Sequence, residues 1–148
     1  MQKEVIIFLN SVQHDGMSED EQIEIITAGQ YYNKNGKRYL IYEEMPESGG
    51  AVSKNVIKIS DEKVEITKTG DSSVKMLFEE HKKSYSSYDM PYGKMMVGLE
   101  TKRIDFKEEE DKLNLRLEYR LELDYHPMAE CVVNIRAESK ENCKVELT

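Results

Sequence analysis

The sequence predicts an all-β, antiparallel protein, either a sandwich or a barrel, and three observations carry that expectation. From Leu113 to Tyr125 every second residue is apolar: Leu113, Leu115, Leu117, Tyr119, Leu121, Leu123 and Tyr125. The residues between them, Asn114, Arg116, Glu118, Arg120, Glu122 and Asp124, are all polar. A period of two describes a strand with one buried and one wet face. Leucine favours helices, so here the pattern overrides propensity. Next, nearly the whole chain divides into about ten short runs separated by turn chemistry, the spacing of an antiparallel sandwich or barrel. Lastly, no segment reads as an amphipathic helix of about ten or more residues, and every proline falls in a proposed connection, as a sheet requires.

The elements follow in order. Val5 to Val12 is rich in β-branched and aromatic residues and reads as the first strand. His14 to Glu21 is a polar connection containing Asp15-Gly16, and Met17 to Ile26 has room for one helical turn before the second strand, Gln22 to Tyr32. Asn33-Lys34-Asn35-Gly36 is a strong hairpin turn, because asparagine and glycine accept positive φ at little cost. Lys37 to Glu44 returns as the third strand, and Met45 to Gly50 is a looser loop. Val52 to Ser60 and Lys63 to Thr69 form a hairpin through Asp61-Glu62, and Gly70-Asp71 leads into Val74 to Glu79. After the turn Glu80 to Lys83 come Ser84 to Met90, ended by Pro91, and then Lys94 to Phe106. The acidic turn Lys107 to Asp111 precedes the Leu113 to Tyr125 strand, which Pro127 separates from the last one, Ala129 to Glu138.

Alternation also assigns faces. Leu40, Tyr42 and Glu44 share one, as do Ile57 and Ile59, then Val64, Ile66 and Lys68, and then Met76 and Phe78. Met95, Val97, Leu99 and Thr101 share another, but Ile104 and Phe106 are out of step with them. A slip of one residue inverts the faces, so a β-bulge is expected between Thr101 and Ile104. Val133 and Ile135 carry the core face of the last strand, with Cys131 beside them. A thirteen-residue strand at about 3.3 Å per residue spans roughly 40 Å, more than a small barrel wall, so it should bend or overhang.

Length and composition bound the rest. The 148 residues fit one domain, 1–148, without linker or repeat. Twenty-one basic against 29 acidic residues give a net charge of −8, which repels phosphate backbones and argues against nucleic-acid or anionic-membrane partners. Cys131 and Cys143 match no zinc spacing and read as free thiols in a reducing compartment. With no signal peptide or membrane span, the expected location is cytoplasmic.

Six stretches carry a resemblance: Tyr39-Leu40-Ile41-Tyr42-Glu43-Glu44, Lys68-Thr69-Gly70, Met76-Leu77-Phe78-Glu79, Tyr88-Asp89-Met90-Pro91-Tyr92-Gly93, Leu99-Glu100-Thr101 and Leu117-Glu118-Tyr119-Arg120-Leu121. Together they make the chain resemble, over nearly its full length, the YwiB-like family of uncharacterised bacterial proteins, classed as a domain of unknown function. The resemblance implies a closed, antiparallel, up-and-down β-barrel of the calycin or lipocalin-like type, with about 8–10 strands. It implies no activity. Two positions depart from the family pattern, in which an arginine commonly stands at Lys68 and a threonine at Met90. Lysine lacks the planar fork by which arginine grips a carboxylate.

The sharpest candidate site is Tyr42, Glu44 and Lys68. Alternation puts Glu44 and Lys68 on core-facing sides near strand ends, where a charge is costly unless it is paired or lines a wet cavity. The tyrosines Tyr42, Tyr88, Tyr92 and Tyr119 form a second set, since tyrosine joins a flat apolar body to one hydroxyl. The bland alternatives are solvated rim charges and core-filling rings. Thr101, Arg103 and Arg120 have anion-binding chemistry, but Arg120 fits cross-strand pairing better. His14, His81 and His126 lie in separate loops without metal or triad spacing, and Ser84, Ser86 and Ser87 lack a nucleophile elbow. The expectation is therefore a non-catalytic protein, without metal or cofactor, that holds a small, partly apolar ligand at a barrel mouth through Tyr42, Glu44, Lys68, Tyr88 and Tyr92. The alternative is an interaction protein with a packed core, working through a strand edge, as a homodimer or on a protein partner.

Overall fold

The structure is a computed structural model and describes residues 2–16, 20–45 and 50–141. Ten strands run in chain order: β1 Gln2–His14, β2 Glu21–Lys34, β3 Lys37–Glu44, β4 Ser53–Ile59, β5 Lys63–Thr69, β6 Val74–Glu79, β7 Lys83–Met90, β8 Gly93–Glu109, β9 Lys112–Leu123 and β10 His126–Ser139. All pair antiparallel in one sheet of order β6-β5-β4-β3-β2-β1-β10-β9-β8-β7, and the described residues contain no helix. Every neighbour is therefore a chain neighbour except β1 and β10, which pair from Val5↔Ser139 to His14↔Glu130. The sheet curls into a nearly closed up-and-down barrel. At the seam, Ser73 and Asp89 exchange two backbone hydrogen bonds of 2.8 Å, and the Ser84 hydroxyl donates to the Leu77 carbonyl.

The turns explain the boundaries. Asn35 and Gly36 both take positive φ, 53° and 78°, giving the two-residue hairpin that Asn-Gly chemistry favours. Asp124 and Tyr125 make a second such turn, with φ of 50° and 66°. The Asp124 carboxylate accepts from the Met96 amide at 2.9 Å, while its own amide donates to the Met96 carbonyl. Those bonds end the alternating strand at Leu123, not at Tyr125, whose side chain is exposed. Along β9, Leu113, Leu115, Leu117 and Tyr119 are buried, whereas Leu121 and Leu123 are only half-buried near the rim. Pro127 does not break the next strand. It is the second residue of β10, next to a register shift between Pro127 and Ala129, where a missing N–H is tolerated. No helical turn precedes β2 within the described residues, because the strand already begins at Glu21; residues 17–19 of that stretch, like Pro46 and Cys143, lie outside the described residues.

The phase slip in β8 is a bulge. Thr101 pairs with Tyr119 and Arg103 with Glu118, leaving Lys102 as the extra residue. Beyond it β8 has left β7, whose last partner is Glu100, and its far end approaches β3. The 17-residue β8 is thus the strand that bends.

The barrel has a long-stranded side, β8, β9, β10, β1 and β2, and a short-stranded side, β3 to β6. Leu40, Ile57, Phe78 and Leu117, all fully buried, form the belt between them. Each contributes on the order of 2 kcal/mol. The two sides part near Gly29. From Gln30 to Lys34 β2 pairs with β3, but from Glu21 to Gly29 it pairs with β1 alone among the described residues. A Cβ at Gly29 would stand 2.7 Å from the Ile41 carbonyl oxygen and 2.5 Å from Ile7 Cδ1, so only glycine fits this pinch.

Candidate functional site

Strand direction gives the barrel two mouths. One gathers the end of β3, the start of β4 and the end of β5; the other gathers the start of β1, the end of β2 and the end of β8. At the first mouth the register sets Tyr42 opposite Asn55, Asn55 opposite Lys68 and Lys68 opposite Val74, in one inward-facing row. Glu44 sits opposite Ser53, one inward position nearer the rim.

Tyr42 and Asn55 are buried, and Lys68 and Glu44 are half-buried. Asn55 is 4% exposed, and its Nδ2 has no hydrogen-bond partner among the described residues. A buried donor left unmade costs about 1–3 kcal/mol. Lys68 and Glu44 make no side-chain hydrogen bond or ion pair among the described residues. Burial, and secondarily the Glu44 charge, push the Tyr42 phenol well above its ordinary pKa, so it stays a donor. Around the row the inward apolar groups Leu9, Ile66, Met76, Tyr88, Leu121 and Leu123 are only partly buried. Unlike the other mouth, this one has no side-chain bridge across its inward row among the described residues, and half-buried apolar side chains flank its polar groups.

The second mouth is bridged. Tyr31 on β2 donates its hydroxyl to Glu108 Oε2 on β8, and Arg38 Nε on β3 donates to Glu108 Oε1 at 2.8 Å. The Arg38 guanidinium also lies 5.0 Å above the Phe106 ring. Burial alone would raise the Glu108 carboxyl, but the Tyr31 and Arg38 hydrogen bonds outweigh it and hold its pKa below the ordinary carboxylate range. Lys3 Nζ donates to the Glu110 carbonyl at 3.1 Å beside them. These side chains are 70 and 77 residues apart in sequence and strap non-neighbouring strands together.

Of the residues singled out from sequence, Tyr42, Glu44 and Lys68 converge, and Tyr88 contributes a half-buried ring. Tyr92 does not join them: it occupies the β7–β8 turn after Pro91 and is 87% exposed. Tyr119 is buried edge-on against Phe78 with ring centroids 4.9 Å apart, and burial raises its pKa. Thr101 is buried at the β8 corner with an unpartnered Oγ1. Arg103 pairs with Asp105 at 2.8 Å, and Arg120 lies between its cross-strand neighbours Glu100 and Glu130. His14 pairs with Asp20, and the His126 ring contacts the Asp124 carbonyl at 2.8 Å. Asn55 was not anticipated, although it alternates with Ile57 and Ile59. The Glu108 bridge has no local signal at all.

Surface cavities border these features. A notch of about 460 Å³ where β2 and β3 part is lined by Val5, Gly29, Ile41, Tyr42 and Lys54. A crevice of about 350 Å³ at the bridged mouth is lined by Lys3, Val5, Tyr31, Leu113 and Ser139. A groove of about 750 Å³ crosses the outer face between Phe8, Asn10, Arg116 and Arg136. Of these, only the first touches the unpartnered row, at Tyr42 alone, beside the outward-facing Ile41, Glu43 and Lys54.

Comparisons place this geometry. A family model described as a domain of unknown function, DUF1934, matches residues 7–135. The uncharacterized beta-barrel protein YwiB of Bacillus subtilis (strain 168) is 29% identical over 108 residues, covering 73% of each chain. The crystal structure of ywiB protein from Bacillus subtilis superposes with a TM-score of 0.83 over 93% of this chain and 92% of that one, at 25% identity.

Proposed function

The chain belongs to the DUF1934 family, and on that premise we propose that it is a non-catalytic, cytoplasmic binding protein that takes a small, partly apolar ligand at its open mouth. The observation that carries the reading is the Asn55 amide, buried and unpartnered between Tyr42 and Lys68. A stable fold gains nothing from a buried orphan donor, whereas a binding site gains a contact ready to be made. Half-buried Ile66, Met76 and Tyr88 supply the apolar wall that such a ligand needs. Native mass spectrometry of protein purified from its own host is the test. A retained small molecule is the expected result. Bare protein, together with no enhancement of the fluorescence of 8-anilinonaphthalene-1-sulfonate, would remove the reading.

A second reading has one observation in its favour. The edge of β2 from Glu21 to Gly29, unpaired among the described residues, carries Ile23 and Ile26 at 50% and 52% exposure. Exposed, β-branched edges are sites for strand addition. Light scattering that showed a stable dimer, converted to monomer by Ile23→Lys, would favour it.

A further inference from the structure

We infer that the ligand head group is a monoanionic hydrogen-bond acceptor of the carboxylate class, carried on an apolar chain. The inference rests on the reading that the open mouth binds a ligand, and goes beyond it to the ligand's chemistry.

Three side chains in one inward row offer donors. Asn55 Nδ2 lacks a partner inside the protein. Tyr42, on the strand to one side, keeps its proton and makes no hydrogen bond among the described residues. Lys68, on the strand to the other side, brings a positive charge that no carboxylate of the described residues neutralises within ion-pair distance. Three neighbouring donors, one charged and one deeply buried, want an acceptor, and a negative one gains most. A cationic head would face Lys68 and leave the Asn55 donor unmet. A neutral alcohol would satisfy one donor and leave the charge.

Glu44 is the opposing group. It stands on β3 one inward position closer to the rim than Tyr42, so it repels an anion from the edge of the site without occupying its centre. That arrangement favours one negative charge set deep over a multiply charged head at the rim. The apolar chain lies against Ile66, Met76 and Tyr88, which flank the row and are only half-buried.

The test is displacement of 1-aminoanthracene, uncharged at neutral pH, by decanoate, decan-1-ol and decylamine. Decanoate is expected to compete about tenfold better than the other two. Lys68→Gln should bring decanoate to within about threefold of decan-1-ol, and Glu44→Gln should tighten decanoate by about threefold while leaving decan-1-ol unchanged. Both positions are half-buried, so unchanged melting curves establish that the variants fold. If the dye binds and decan-1-ol or decylamine competes as well as decanoate, the anion assignment is overturned and the binding mouth stands. If neither the dye nor any competitor binds, the binding reading falls and takes the assignment with it.

Discussion

The two mouths of this barrel are built from the same kinds of residue and put them to opposite use. At the bridged mouth a tyrosine, an arginine and a glutamate meet, and both oxygens of Glu108 accept hydrogen bonds. At the open mouth a tyrosine, a lysine and a glutamate stand near one another without an ion pair or a shared hydrogen bond among the described residues. The first arrangement ties strands that the sheet does not connect. The second leaves the buried Asn55 donor unpartnered beside half-buried charges, and the binding proposal rests on that difference. Composition alone does not separate the two arrangements; the satisfaction of the polar groups does.

Breaking the belt that both mouths share has the largest expected effect. Leu117→Asp puts an unpaired charge at a fully buried position, a cost above about 4 kcal/mol in a fold whose total stability is on the order of 5–15 kcal/mol. Circular dichroism should show an unfolded or barely folded chain; a melting temperature within about two degrees of the parent would mean that Leu117 is not core.

Releasing the strap comes next. Glu108→Gln removes the charge from two hydrogen bonds and should cost about 1–2 kcal/mol in urea unfolding. Its pH dependence sharpens the point. The Glu108 pKa is lowered on folding, so its contribution is fully present above the unfolded value of about 4.3 and is lost as pH falls through the folded one. Acidification below about pH 4 should therefore destabilise the parent more than the glutamine variant. Equal slopes would show that the strap does no electrostatic work.

The smallest effect has the opposite sign. Asn55→Val replaces an orphaned buried amide by an apolar group of similar size and should raise stability by about 1 kcal/mol. A loss of more than about 1 kcal/mol would show that the amide is already satisfied within the fold.

Much of this barrel was legible in the chain because one wet and one dry face force alternation. Three strands, β3, β5 and β6, begin and end where their patterns do, and the slip between Thr101 and Ile104 revealed the corner in β8. The inward aim of Tyr42, Glu44 and Lys68 followed from the same parity. Asn55 was equally legible, two positions before Ile57, but an asparagine near a loop reads as turn chemistry. Tyr92 misled for the converse reason: its residue type suggested a pocket, while Pro91 before it and Gly93 after it marked a turn. Tyr125 continued the alternation into a positive-φ position that aromatic residues rarely take. The Glu108 strap and the β1–β10 pairing join residues far apart in sequence, and no local pattern encodes them.

The sparse seam between β6 and β7 has a consequence for how this chain is threaded. Chain order and spatial order disagree only at β1 and β10, the strands nearest the two ends of the described chain, where the Lys140 amide donates to the Glu4 carbonyl at 3.0 Å. Joining those ends by a short linker and cutting in the turn between Glu79 and Lys83 would give a circular permutant running β7 through β10 and then β1 through β6. Every full ladder in it would join consecutive strands, and the long-range pairing that slows folding in topologies of this kind would become a hairpin. The natural chain closes its longest loop with a ten-pair ladder, β1 on β10, and leaves its weakest join between strands that are already neighbours.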